Sequence, residues 1–320
     1  MYLITGATGT TGRRLIAHLL DAGVPVRAVT RNPGPAAALG LPAGVELARA
    51  GEPGMLRGVT ALFLHPRAVG ERSAQLVAAA REQGARKVVA LSAINVDEPL
   101  DEQPSRFRGD RNKEAEQAAV HSGLAWTSLR AATFASNAAL AWGPQIRMGD
   151  VVRYPYARFR EAPVDERDLA EVAARALLTD ELTGRRLDLT GSEALSHEEC
   201  VAAIGKALGR PLRFQEVPPQ AAAEQMIARG MPAPFVTALM ARYARLVDEP
   251  GQVTAGQVSA VLGRPARGFT DWVTDHVAAF RGPVDQLTTH QPTADQPAVD
   301  RPTGTGPAAT QPADHRTAAV

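Results

Sequence analysis

Thr5-Gly6-Ala7-Thr8-Gly9-Thr10-Thr11-Gly12 is the stretch that decides the fold. It follows a short apolar run at 2–5 and opens a helical pattern at 11–22, after which a second apolar run covers 24–30. Strand, glycine turn, helix and strand make a β-α-β unit, and glycines at GxxGxxG spacing have separate jobs within it. Gly6 permits the tight turn, Gly9 lets the backbone approach a pyrophosphate, and Gly12 lets helix and strand pack closely. Free N–H groups and the dipole at a helix N-terminus favour an anion. Gly6, Thr8, Gly9, Thr10, Thr11 and Gly12 are therefore read as contacts to a dinucleotide. The bland alternative, a plain glycine-rich turn, does not account for the flanking strands and helix.

The second strand ends Val29-Thr30-Arg31-Asn32. An acidic residue there would hold the ribose hydroxyls of NAD; an Arg suits the 2′-phosphate of NADP. Arg31 thus points to NADPH rather than NADH, with an exposed loop arginine as the alternative in so Arg-rich a chain.

Outward from this unit the alternation continues. Further apolar runs fall at 45–48, 61–64, 87–91 and 125–129, with helical patterns at 69–83 and 111–122. Alternating strands and helices give a parallel sheet covered on both faces, an α/β Rossmann-type doubly wound sheet of order 3-2-1-4-5-6. The expected organisation is a dinucleotide-binding core over 1–140 and a smaller, mostly helical cap over 141–281 that partly returns to the sheet. In the cap, strands are expected at 186–189 and 212–217. Helices are expected after Asp165 and at 197–208, 219–229, 234–248, 255–262 and 270–281. A tail over 282–320, rich in Pro, Thr and Ala, has no apolar periodicity and is expected to be disordered.

The 320 residues carry a formal net charge of +1, from 35 basic and 34 acidic side chains. That balance argues against a nucleic-acid or membrane-surface protein. A single cysteine, Cys200, excludes intrachain disulfides and cysteine-built zinc sites, and no metal is expected. No apolar run approaches the roughly 20 residues that span a bilayer. Met1 leads almost at once into the glycine loop, so a cytoplasmic location is expected.

Several further segments join the glycine loop in a family resemblance. They are Val29-Thr30-Arg31-Asn32-Pro33, Val88-Val89-Ala90-Leu91-Ser92, Asn112-Lys113-Glu114-Ala115-Glu116, Ser122-Gly123-Leu124-Ala125-Trp126-Thr127-Ser128-Leu129-Arg130, Phe134 with Asn137, Pro163-Val164-Asp165-Glu166-Arg167-Asp168-Leu169-Ala170, Leu189-Thr190-Gly191-Ser192 and Gly263-Arg264-Pro265. With them the chain resembles the NmrA-like, atypical short-chain dehydrogenase/reductase proteins, including quinone-reductase-like and ergot-alkaloid-reductase-like members, from Leu3 to about Phe280. The resemblance implies NAD(P)H binding and a cleft between sheet and cap. Two departures stand out: Ala50-Gly51-Glu52 replaces a common Asp near the adenine, and Arg130-Ala131 replaces a common Arg-Pro.

Short-chain dehydrogenases generally use Ser with Tyr-x-x-x-Lys, where Lys lowers the pKa of the proton-donating Tyr. The Tyr position, four before Lys113, is Gly109. What survives is Ser92 at a strand end, read as a catalytic and cofactor contact or as a turn cap, and Lys113, read as a cofactor contact or as a solvated partner of Glu116 at i,i+3. His65, followed by Pro66, is read as lining the cofactor groove and as a candidate acid, or as structural. Thr133 is placed near the nicotinamide. Phe134, Trp142, Tyr154 and Tyr156 are candidates for an aromatic substrate pocket, or else pack the domain junction.

The chain therefore reads as an NADPH-dependent reductase. It would pass hydride to a small aromatic, quinone-like or ketone substrate without the usual Tyr acid. A non-catalytic NAD(P)-binding redox sensor is the alternative, and sugar-nucleotide epimerisation a weaker third. The partner expected is a small molecule, with homodimerisation left open.

Overall fold

The computed structural model describes residues 1–282 apart from Gln252. Beyond Gly282, the expected tail lies outside the described residues. The strands are β1 (Tyr2–Ile4), β2 (Val26–Thr30), β3 (Glu46–Arg49), β4 (Ala61–Leu64), β5 (Lys87–Ala93), β6 (Ala125–Ala131), β7 (Val151–Tyr154), β8 (Arg160–Glu161), β9 (Arg185–Leu189), β10 (Leu195–Ser196) and β11 (Arg213–Glu216). The α-helices are α1 (Thr10–Asp21), α2 (Pro66–Val69), α3 (Ser73–Glu82), α4 (Asn112–Val120), α5 (Asn137–Ala141), α6 (Gly143–Met148), α7 (Glu166–Leu178), α8 (His197–Leu208), α9 (Pro219–Ala228), α10 (Ala233–Leu246), α11 (Ala255–Leu262) and α12 (Phe269–Asp275).

Seven strands form one parallel sheet in the order β3-β2-β1-β4-β5-β6-β9. The expected 3-2-1-4-5-6 is present, and the cap segment returns to add β9 beside β6. Strand period two assigns the two faces. Ile4, Phe63, Val89, Leu91 and Leu129 pack with α1 and α7, while Leu3, Leu62, Leu64, Val88 and Ala90 pack with α3 and α4. Both faces are covered, which is why Ala61–Leu64 reads as an unbroken apolar run and is buried throughout. In α1, Thr11, Gly12, Leu15, Ile16 and Leu19 make the buried stripe, the i, i+4, i+8 pattern of an amphipathic helix.

A separate apolar cluster joins Trp142, Ile146, Val152, Tyr154, Phe159, Cys200, Ile204, Phe269, Trp272 and Phe280 beyond residue 134. This part is less purely helical than its sequence reads. β7 pairs with β11 in parallel and β8 with β10 antiparallel. The helix expected at 69–83 is broken into α2, a 3₁₀ turn at Gly70–Arg72 and α3, because Gly70 adopts a left-handed φ of 58°. The last helix ends at Asp275, not at residue 281, and a 3₁₀ turn at Val277–Ala279 follows it. No helix among the described residues is long and apolar enough to cross a membrane.

Candidate active site

The glycine loop joins β1 to α1. Gly6 has φ 66°, and a Cβ there would lie 2.6 Å from Cβ and Cγ of His65. A Cβ on Gly12 would lie 2.3 Å from the Gly6 carbonyl oxygen and 2.9 Å from Ala7 Cα. These two positions accept nothing larger than glycine. Gly9 is the N-cap of α1 in extended conformation and brings no side-chain cap, so the first-turn N–H groups of Thr10, Thr11 and Gly12 stay available to a ligand. A cradle that side chains would fill, opening on an uncapped helix N-terminus, fits a dinucleotide pyrophosphate. Thr11 is buried, Thr8 is half-buried and Thr10 is exposed. Arg31 follows β2 on the same edge of the sheet, exposed, and makes no hydrogen bond or ion pair among the described residues. It is free to meet a phosphate.

Thr5 couples this loop to the next strand. Its hydroxyl donates to the Phe63 carbonyl (2.8 Å) and accepts from the His65 N–H (2.8 Å). That bond holds the His65 ring over Gly6, and Pro66 then starts α2. His65 Nδ1 is buried without a protein partner, and burial lowers the pKa of the ring. At neutral pH His65 is therefore neutral.

From His65 and Pro66 a cavity of about 660 Å³ runs between the C-terminal ends of β5 and β6 and the cap. Ser92, Thr133, Phe134, Trp142 and Tyr154 line it as expected, joined by Asn112, Glu161, His197, Arg242 and Tyr243. Ser92 stands opposite Arg130 in the β5–β6 register, and its Oγ is buried with no hydrogen-bond partner among the described residues. It caps no turn. Trp142 Nε1 is likewise unpartnered, although the indole packs edge-on against Tyr154 at 5.9 Å and His197 at 5.8 Å. Trp142 and Tyr154 therefore both pack the cap and face the cavity.

The segment after β6 is clamped to the one before α7. Val164 N–H donates to the Thr133 carbonyl (2.9 Å), and Ala135 N–H donates to the Val164 carbonyl (3.0 Å). This pairing lets the Thr133 hydroxyl donate to Glu161 Oε2 at 2.7 Å. Burial raises the pKa of Glu161 above the usual carboxylate range, against the opposing pull of the Arg242 charge and the Thr133 bond. His197 is pushed down to about 4 by burial and donates from Nδ1 to the Pro155 carbonyl (3.1 Å). Tyr154 is pushed up to about 12 by burial, with its hydroxyl 3.4 Å from that of Tyr243.

Two expected residues are elsewhere. Lys113 does not line this cavity. It lies on a separate depression with Asp97, Glu116, His121 and Arg130. Successive helix residues point about 100° apart, so α4 turns Asn112 into the cavity and Lys113 away from it. Nor does Glu116 pair with Lys113. Its carboxylate is held by Ser128, Arg130 and Arg186. Tyr156 is also outside the cavity wall: it has φ 54° and packs against Tyr243 with ring centroids 6.0 Å apart. At the usual Tyr position, Gly109 has φ 95°, a backbone that a tyrosine rarely adopts.

Fold and site define a Rossmann-type dinucleotide-binding oxidoreductase. A family model described as NAD(P)H-binding matches residues 6–180. The chain is 39% identical over 287 residues to a (4-alkanoyl-5-oxo-2,5-dihydrofuran-3-yl)methyl phosphate reductase of Streptomyces griseus, covering 88% of this chain and 99% of the relative. It is 31% identical over 291 residues to an NAD(P)H azoreductase of Xenophilus azovorans, with the same coverage of 88% and 99%. An NADPH-dependent quinone oxidoreductase of Escherichia coli, solved with NADPH, has the same fold at a TM-score of 0.72 and 24% identity over 86% of this chain and 99% of that one. The chain belongs to the NAD(P)H-binding, NmrA-like atypical short-chain dehydrogenase/reductase family and is an NAD(P)H-dependent oxidoreductase.

Proposed function

We propose that the protein is an NADPH-dependent reductase of a small, conjugated carbonyl or quinone-like acceptor. The observation that carries this is the cavity, which starts at His65 beside the glycine loop and passes Ser92, Thr133 and Phe134 before ending among Trp142, Tyr154 and the cap helices. When bound, the dinucleotide supplies hydride at its nicotinamide. The glycine loop and the α1 N-terminus would hold its pyrophosphate, and Arg31 its 2′-phosphate. Ser92, Asn112 and Trp142 Nε1 offer polar contacts beside apolar wall such as Phe134 and Ala132, enough to orient a flat acceptor. The names of the two sequence relatives favour this class, since an acylated unsaturated lactone and an azo compound both carry electron-poor conjugated bonds.

The test is NADPH oxidation in the presence of a panel of quinones, acyl butenolides, ketones and azo dyes. Turnover of at least one class is expected, and no turnover on any would sink the proposal. The absence of the usual Tyr keeps one rival, a non-catalytic redox sensor. It predicts cofactor binding without turnover and a protein partner that binds in one redox state only.

A further inference from the structure

We propose that Glu161 stores the proton the reaction consumes and passes it to the oxygen of a carbonyl acceptor through the hydroxyl of Thr133. The inference rests on the reductase reading above and supplies what Gly109 removes, a source of protons inside the cavity. Glu161 sits in the two-residue strand β8, pinned by pairing of Leu195 with Glu161. It lines the cavity with Thr133, and the two side chains share one hydrogen bond of 2.7 Å. Among the described residues Glu161 makes no ion pair.

Several other titratable groups surround Glu161. Arg242 on α10 is the nearby cation, and it leans towards Glu98 at 3.9 Å, over the Phe159 ring. Its charge favours the carboxylate, but desolvation outweighs it, so the acid form persists above the ordinary carboxylate range. Tyr154 on β7 and Tyr243 on α10 also face this region. Both phenols are raised by burial, and the charge of Glu161 raises them further. The Arg242 charge pulls Tyr243 down, but burial outweighs it. Cys200 on α8 is raised in the same way. His65 and His197 are neutral and carry no proton to give at neutral pH. A carboxyl whose acid form is favoured by burial, and which shares a hydrogen bond with a hydroxyl of the cavity wall, is the group of the set best placed to give up a proton.

The step balances as follows. As the acceptor carbon takes hydride, the carbonyl π pair moves onto oxygen. That oxygen takes the proton of Thr133 Oγ1, and Oγ1 takes the proton of the Glu161 carboxyl. Glu161 is left as a carboxylate that accepts the Thr133 hydroxyl, and water in the open cavity returns a proton to it. The acceptor gains one hydride and one proton.

Glu161→Gln, Thr133→Val and Thr133→Ser separate this relay from a structural role. With an unconjugated ketone as acceptor, which becomes an unstabilised alkoxide on taking hydride, Glu161→Gln and Thr133→Val should lower kcat by about 10²-fold or more, the usual scale of acid catalysis. Thr133→Ser should keep most of it. With menadione the losses should be under about tenfold, since a quinone that accepts hydride becomes a resonance-stabilised phenolate and needs no strong acid. The wild-type kcat on the ketone should fall as pH rises through the Glu161 pKa, and the fall should vanish in Glu161→Gln. Equal losses on both acceptors would overturn the relay. A second readout does not depend on turnover: ¹³C NMR of Glu-labelled protein, with Glu161→Gln assigning the signal. Titration of Glu161 in the ordinary carboxylate range refutes the proposal even if the enzyme is active, whereas a wild type inactive on every acceptor refutes the reductase reading instead.

Discussion

Removing the charge of Glu116 should destabilise the protein by about 3 kcal/mol and flatten its response to acid. Four donors meet this carboxylate: Ser128 Oγ at 2.6 Å, Arg130 Nε at 3.0 Å and Nη2 at 2.6 Å, and Arg186 Nε at 3.0 Å. The side chain is 5% exposed. Burial alone would raise its pKa, but the bonds from Arg130, Ser128 and Arg186 override that and hold it at about 2, from an ordinary 4.5. A depression of that size corresponds to about 3 kcal/mol of preferential stabilisation of the charged form in the folded state. The sign follows from linkage. The unfolded chain binds the proton more readily, so the contribution is complete above pH 4.5 or so and is lost as pH falls towards about 2. Glu116→Gln keeps the shape but leaves Arg130 with only Asp97, at 2.8 Å, as an anionic partner. For a chain of this size, 3 kcal/mol corresponds to a Tm lower by roughly 6–12 °C at neutral pH. Urea midpoints measured from pH 6 down towards pH 2 should draw together for wild type and variant, because below about pH 4.5 the unfolded wild-type chain takes up the proton that the folded carboxylate refuses. Because Glu116 ties α4 to β6, NADPH oxidation should weaken too, through Asn112 at the start of α4. A Tm within about 2 °C of wild type, or parallel pH curves, would refute the reasoning.

Gly12→Ala should abolish NADPH binding or folding of the loop, since its Cβ would lie 2.3 Å from the Gly6 carbonyl oxygen; tight NADPH binding by calorimetry would contradict the cradle. Arg31→Ala should lower the NADPH/NADH affinity ratio by about 10- to 150-fold, the value of a charged hydrogen bond of ~1.5–3 kcal/mol; an unchanged ratio removes Arg31 from the cofactor site. Lys113→Ala should leave NADPH affinity and kcat within about twofold of wild type, whereas Asn112→Ala should lower kcat/KM by roughly tenfold, the value of one lost hydrogen bond of about 1.4 kcal/mol. Steady-state kinetics on the two variants together decide which residue of that helix serves the site.

The glycine loop was legible because its information is local. Gly6, Gly9 and Gly12 act within one turn and one helix start, and the alternating apolar runs needed only their own period to give the strand order. Thr133, Phe134 and Ser92 were legible because they stand at the ends of strands that the pattern located. Which of Asn112 and Lys113 faces the cavity was not legible, because a one-residue shift on a helix turns a side chain by about 100°, and no strand end fixes that phase. Glu161, His197 and Arg242 carried no sequence signal, apart from the capping box of Ser196 and Glu199 that places His197 at the start of α8.

The sequence by itself therefore determined the doubly wound sheet, the dinucleotide cradle and the loss of the usual tyrosine. Each of these depends on residue type at fixed spacing along a few turns of chain. Only the tertiary structure decided what faces the acceptor. The cavity wall is assembled from positions 65, 92, 112, 133, 161, 197 and 242, far apart in the chain. The pKa of Glu161 is likewise raised by desolvation against the pull of the Arg242 charge and the Thr133 hydroxyl, quantities that exist only once those segments are packed together.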